Sequence, residues 1–172
     1  MTPPDAVHAP SLLRKLPGNC GPISAWMILQ LSGKRIGANR IIHACRHTKK
    51  AGCYTIALAL ALREFGLSIT FHTDPDPDIQ PLEARCYRLA YRLRLSVEPA
   101  IELNELSDRV QQQPAIVYYS SAEGRGHFSP LTGYRRGALL LPNSDEGQLS
   151  LIEFERRWSA PGYPRQCILV DN

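Results

Sequence analysis

Asn19-Cys20-Gly21-Pro22, followed by Ile23-Ser24-Ala25-Trp26-Met27-Ile28-Leu29, decides how this chain is read. A cysteine sits at the mouth of an apolar segment, between a loop residue and a Gly-Pro pair. Proline is tolerated in a first helical turn and Gly33 suits a stop, so the pattern predicts a helix from about Cys20 to Ser32. Ile23, Trp26, Met27 and the Ile28–Leu31 region make that helix apolar on most sides, which predicts a central, buried position. The free N–H groups and dipole of a first turn favour negative charge, and so favour thiolate over thiol. Far downstream, Gly126-His127-Phe128 opens a strand-like run, and Asn143 follows the next one. Cysteine, then histidine, then an amide side chain are the parts of a nucleophilic catalytic site.

Working outward, the remaining segments read as follows. Residues 1–17 form a proline-spaced arm. A second helix is expected over Asn39 to His47 and a third over Cys53 to Phe65, where Ala and Leu favour helix despite their alternation. Leu67 to His72 alternates apolar and polar residues and reads as a strand. Asp74-Pro75-Asp76-Pro77-Asp78 is a stiff acidic loop. A helix from Pro81 to Leu95, with Leu82, Leu89, Ala90 and Leu93 on one face, precedes a short one over Glu102 to Gln113. Pro114 to Tyr119, His127 to Tyr134, Ala138 to Pro142 and Gln166 to Val170 read as strands. The Arg135-Arg136-Gly137 turn joins the middle two as a hairpin. Ser150-Leu151-Ile152-Glu153 has the capping-box pattern and starts a helix to Trp158. Helices first and strands afterwards argue for an α+β fold, an N-terminal helical half packed against a C-terminal antiparallel sheet. The crevice between the halves is the expected site.

Composition narrows the function classes. The chain has 172 residues, 44% hydrophobic and 21% charged, with a net charge of +4. This fits one globular domain over 1–172. The basicity is too mild for a dedicated nucleic-acid binder. The five cysteines (Cys20, Cys45, Cys53, Cys86 and Cys167) are odd in number and scattered, so no disulfide framework is expected and a reducing compartment is favoured. The N-terminus has no signal-peptide core, and no apolar run approaches the ~20 residues that span a bilayer. A cytoplasmic chain without membrane insertion is expected, with export by a route that uses no cleaved signal as the alternative. His43 and His47, with Cys45 between them, have a chelating spacing but complete no four-ligand motif, so no metal and no cofactor is expected. Arg85, Arg88 and Arg92 share one helix face and read as a solvated surface.

The chemistry follows from the residue types. An ordinary thiol is mostly protonated at neutral pH. An imidazole can take its proton, the thiolate can attack a carbonyl, and the imidazolium can protonate the leaving amine. Asn143 can fix the ring by accepting the imidazole N–H through its side-chain oxygen. Asn143 is also ordinary turn chemistry before Ser144-Asp145, and Asp145 is the fallback for its role.

Cys20-Gly21-Pro22, with Ser24, Ala25 and Met27 behind it, resembles the nucleophile helix of the papain-like cysteine peptidases that process bacteriocin leader peptides at double-glycine sites, and of their stand-alone relatives. His127-Phe128-Ser129-Pro130-Leu131-Thr132-Gly133-Tyr134 resembles that family's histidine strand. Asn143 stands near the place of the third catalytic residue, which is usually Asp in the family and Asn in papain. Ser150 to Phe154 with Trp158 resembles the helix that follows. The resemblance implies a papain-like fold, a Cys20–His127–Asn143 triad and a peptide or protein substrate cut after small residues such as Gly-Gly. Arg14 stands where the family carries its oxyanion-hole Gln, so Arg14 and Asn19 are the candidate oxyanion donors. Gly126 and Tyr119 are candidates for the substrate groove. The membrane and ATPase segments that leader peptidases usually carry are not in this sequence, which implies a stand-alone role, either in maturing a peptide or in attacking a host or rival protein as a toxin or effector. Papain-fold relatives also include acyltransferases, deamidases and isopeptidases, and a non-catalytic binding module that has lost the oxyanion Gln is a further alternative.

Overall fold

The structure, a computed structural model, describes residues 5–171. The helices are α1 (Ser11–Arg14), α2 (Cys20–Leu31), α3 (Ala38–Ala44), α4 (Thr55–Glu64), α5 (Pro81–Arg92), α6 (Leu103–Arg109) and α7 (Leu151–Trp158). The strands are β1 (Ser68–Thr73), β2 (Ser96–Pro99), β3 (Ala115–Ser120), β4 (Gly126–Leu131), β5 (Tyr134–Arg135), β6 (Ala138–Leu140), β7 (Gln148–Ser150) and β8 (Gln166–Asp171). A five-stranded sheet runs β2-β1-β8-β3-β4, and a small second sheet runs β5-β6-β7. All pairings are antiparallel except β1 with β2. The chain is thus α+β, as the segregation of its helices and strands predicts.

The large sheet separates two cores, because alternate strand residues point to opposite faces. Ile116 of β3 and Ile168 and Val170 of β8 join α2, α3, α4 and α5 on one side. Ala115, Val117 and Tyr119, with Cys167 and Leu169, meet α6, α7 and the small sheet on the other. His127 and Phe128, consecutive on β4, therefore face opposite sides. Helix α2 is buried along Gly21–Leu29 and lies against β4. Helix α4 is buried on every side from Thr55 to Leu62, so its Ala-Leu alternation carries no strand signal.

Several expectations need correction. Of the proline-spaced arm, residues 1–4 lie outside the described residues, but α1 is packed, with Leu13 fully buried. The buried face of α5 is Glu83, Cys86 and Ala90, while Leu93 is 45% exposed. The His127–Tyr134 strand is broken at Thr132-Gly133 into β4 and β5, and only β5 makes the hairpin with β6. Strand β2, exposed along its whole length and paired in parallel at the sheet edge, has no periodic signal and is absent from the sequence reading.

Candidate active site

Cys20 is the first residue of α2, and Asn19 before it makes no side-chain cap. Among the described residues the Cys20 N–H has no main-chain acceptor, as expected at the first position of a helix. Gly21 suits a tight approach: a Cβ there would lie 3.0 Å from the Cβ of Cys53 and 3.2 Å from its sulfur, so Cys53 would have to give by a few tenths of an ångström. Pro22 takes a first-turn position whose N–H has no helical partner. The Cys-Gly-Pro sequence thus brings a helix N-terminus to the surface of the core. Cys20 is part-exposed, whereas Cys45, Cys53, Cys86 and Cys167 are buried, and all five are free.

Cys20 and His127 line one cleft of about 330 Å³, together with Asn19, Ser144, Glu146 and Arg157. His127 stands at the start of β4, opposite Tyr119 of β3, whose ring meets the imidazole edge-on at 5.6 Å. Nε2 of His127 lies 2.5 Å from the main-chain carbonyl of Asn143. A carbonyl can only accept, so Nε2 carries the proton and Nδ1 keeps its lone pair. Burial pulls the His127 pKa down most strongly. Hydrogen bonding and charge from Cys20, the Asn143 carbonyl and the charge of Asp145 together outweigh it, and the net shift is upward from 6.5.

The expected contact from the Asn143 side chain to the imidazole is not made. Its Nδ2 lies 3.1 Å from each of Cys20 O, Ser24 Oγ and Phe128 O. Two of these are carbonyls, which fixes the amide orientation: Oδ1 could not sit there. The Asn143 N–H donates to Ser129 Oγ at 3.1 Å. Asn143 therefore pins its own backbone between α2 and β4, and the carbonyl, not the side chain, faces the histidine. Ser24 and Ser129, both fully buried, complete this latch. In the sequence Ser24 stands out as a serine inside an apolar run and as part of the motif behind Cys20, but its bond to Asn143 has no local signal.

The other candidates separate. Arg14 does not line the cleft, and its Nε donates to Ala9 O at 3.0 Å. Asn19 does line it, while its Nδ2 donates to Arg14 O at 2.9 Å. Tyr119 is 1% exposed, packs on Phe154 and backs His127 in the wall of the cleft. Burial pushes its phenol pKa up. Gly126 lines the Cys20–His127 cleft and also a second cleft of about 270 Å³, which shares Cys20 with the first and is further lined by Lys49, Lys50, Cys53, Tyr118 and Phe128. A Cβ on Gly126 would fall 2.1 Å from the Tyr118 hydroxyl, so a side chain at 126 would force the tyrosine ring or the strand end to shift. Arg157 was missed by sequence reasoning. It is 8% exposed and held by Glu146 and Glu153 at 2.7 Å each. His47 is engaged with Pro17 O at 2.7 Å, and no cluster of three His, Cys, Asp or Glu suited to a metal occurs among the described residues. No helix among them is long and apolar enough to cross a membrane.

No protein-family model and no curated protein matches the chain. Among solved structures it is similar to a double-glycine motif protease from an AMS/PCAT transporter, solved in complex with the leader peptide. The identity is 16%, the TM-score 0.56, and the match covers 88% of this chain and 84% of that one. At this identity the likeness speaks for the fold, and the chain accordingly has a papain-like α+β fold, built on the same plan as that protease.

Proposed function

We propose that the chain is a cysteine peptidase with Cys20 as nucleophile, His127 as general acid and base, and the main-chain carbonyl of Asn143 as the group that orients the imidazole. Nδ1 of His127 takes the thiol proton, and the thiolate attacks the substrate carbonyl. Nδ1–H then protonates the departing amine, leaving a thioester on Cys20. Water, losing its proton to Nδ1, attacks the thioester and releases the carboxylic acid with the thiol restored. The Cys20 N–H and the second Nδ2–H of Asn19 are the oxyanion donors. The observation that carries the reading is the 2.5 Å contact from Nε2 to the Asn143 carbonyl, which leaves Nδ1 free in a cleft shared with the one part-exposed cysteine.

The substrate is a peptide segment, in keeping with the leader peptide bound by the similar protease. Small residues such as Gly-Gly fit beside Cys20, where Tyr118 already occupies the space next to Gly126. Acyl transfer and deamidation share the thioester and differ in what resolves it or in which amide is attacked.

The test is alkylation by iodoacetamide with peptide mapping, followed by mass analysis of Gly-Gly peptides. Rapid modification at Cys20 alone, slowed by His127→Ala, together with chain scission, supports the peptidase. A second reading, a peptide-binding module, is favoured by one observation: Arg14, in the place of the oxyanion Gln, bonds to Ala9 instead of reaching the cleft. It gains if Cys20 reacts no faster with His127 than without it and peptides bind uncut.

A further inference from the structure

The second cleft beside Cys20 continues past Tyr118 and Phe128 into a trough of about 220 Å³, and the two share Ala51, Cys53, Tyr118 and Phe128. The floor of the trough is polar and buried. Thr55, Glu83 and Gln166 are 3%, 5% and 4% exposed. Thr55 donates to the side-chain oxygen of Gln166, and Gln166 Nε2 donates to Thr73 Oγ1 at 3.1 Å, so these two satisfy each other.

Glu83 is different. It is the third residue of α5, and one oxygen, Oε2, accepts the Gln80 N–H at 3.3 Å in a capping box. That cap accounts for half the carboxylate. Oε1 accepts from no group among the described residues, and Glu83 enters no ion pair there. No fully buried side-chain polar atom lacks a partner among them. Oε1 is therefore not sealed off, and Glu83 is one of the residues that line the trough. A carboxylate this buried and without a cation is costly unless something pairs with it.

Asp76 and Asp78 stand at the rim of the same trough and are likewise in no ion pair among the described residues. Their loop is stiffened by Pro75 and Pro77 and anchored by Asp74, which Arg165 Nε grips at 3.0 Å. A chain of net charge +4 thus gathers three uncompensated carboxylates in one place. They form no three-residue metal cluster. An extended side chain with a charged end, entering between Tyr118 and the acidic loop, matches this shape better than a compact ion.

We propose that the trough is a substrate subsite for the cationic side chain of an arginine or lysine, a few positions along the peptide from the bond held at Cys20. The proposal rests on the peptidase reading for its geometry, since the peptide must lie across Cys20 to reach the trough. Glu83 Oε1 accepts from the cation at the floor, and Asp76 and Asp78 flank it at the mouth.

The test uses the whole 172-residue chain carrying Cys20→Ala, and fluorescent peptides with a central Gly-Gly. Arginine is placed at each successive position on either side, and each peptide is paired with its neutral citrulline twin. The expected result is one position at which arginine binds about tenfold more tightly than citrulline. The preference should vanish in Glu83→Gln, which keeps the cap, and weaken in the exposed-rim variant Asp78→Asn. Equal binding of the twins at every position, no binding of any peptide, or a preference that survives both substitutions overturns the proposal. Cleavage by the wild-type chain is scored separately. Cutting with no arginine preference sinks the subsite and keeps the peptidase. Arginine-dependent binding without cutting sinks the peptidase and keeps the subsite.

Discussion

Nε2 of His127 bonds to the main-chain carbonyl of Asn143, and the Asn143 side chain turns away to Cys20, Ser24 and Phe128. The orienting group is thus present whatever residue stands at 143, and the side chain acts by holding that backbone in place. Asn143→Ala should keep measurable activity while losing the latch, with kcat/KM down about tenfold and stability lower by about 1–3 kcal/mol. Asn143→Asp should be worse, because a carboxylate would face the carbonyls of Cys20 and Phe128. Urea unfolding and kcat/KM on one peptide check both. An Asp variant as stable and active as the parent would show that the side chain does not make the contacts described.

The His127 pKa is raised above 6.5 despite burial, with Cys20 the strongest of the raising influences. The folded chain then binds the proton more tightly than the unfolded chain. The stability this group contributes is full below about 6.5 and is lost as pH rises through the raised folded value. The imidazolium also donates to the leaving amine, so the basic limb of kcat/KM should lie above pH 6.5. Removing the sulfur in Cys20→Ala leaves burial less opposed, and the His127 pKa should fall. NMR titration of the imidazole in both chains measures this, and an unchanged value would contradict the assigned pairing.

Gly126 and Tyr118 form a second dependence. The Tyr118 hydroxyl occupies the space a Cβ at 126 would need, at 2.1 Å, and His127 is the next residue. Gly126→Ala should displace the tyrosine or the strand end, at a cost of about 1–3 kcal/mol, and lower activity. Adding Tyr118→Ala should recover much of the lost activity by emptying that space. Thermal melts and peptide cleavage of the single and double variants form the cycle. A Gly126→Ala chain with full activity would mean that the close approach is easily relieved.

The parts that were legible in the sequence are those with a local physical signal. The α2 pattern, the first-turn proline, the Ala-Leu helix formers of α4 and the Ser150 cap each favour their structure through neighbouring residues. Ser150 Oγ does accept the Glu153 N–H at 3.2 Å, but Glu153 then pairs with Arg156 and Arg157 instead of closing the box. The parts that were not legible depend on distant partners. Nothing local shows that Asn143 would offer its backbone, because its side chain is claimed by Cys20 and Ser24, more than a hundred positions earlier, as well as by Phe128. Strand β2 is exposed on all four residues and is fixed only by its neighbour β1. Arg157 lies on an amphipathic helix and looks solvated until Glu146, on a separate loop, folds against it.

That Arg157 pairing gives the last prediction. Its guanidinium holds the Glu146 carboxyl below the usual carboxylate range, chiefly through their hydrogen bond. Glu146 therefore contributes stability above its ordinary pKa and loses it as pH falls through the depressed folded value. Arg157→Met removes the cation, leaves the exposed Glu146 without its partner at the cleft wall, and should cost up to about 1 kcal/mol at neutral pH, since solvent screens that pair. The deficit relative to the parent should shrink in acid, where the parent's carboxylate is protonated too. The double variant Arg157→Met/Glu146→Gln should recover part of the loss at neutral pH, because no unpaired charge remains beside the Met. Urea melts of the parent, single and double variants, run near neutrality and again in acid, measure each of these. A deficit independent of pH would assign the role of Arg157 to packing of its stem instead of to its charge.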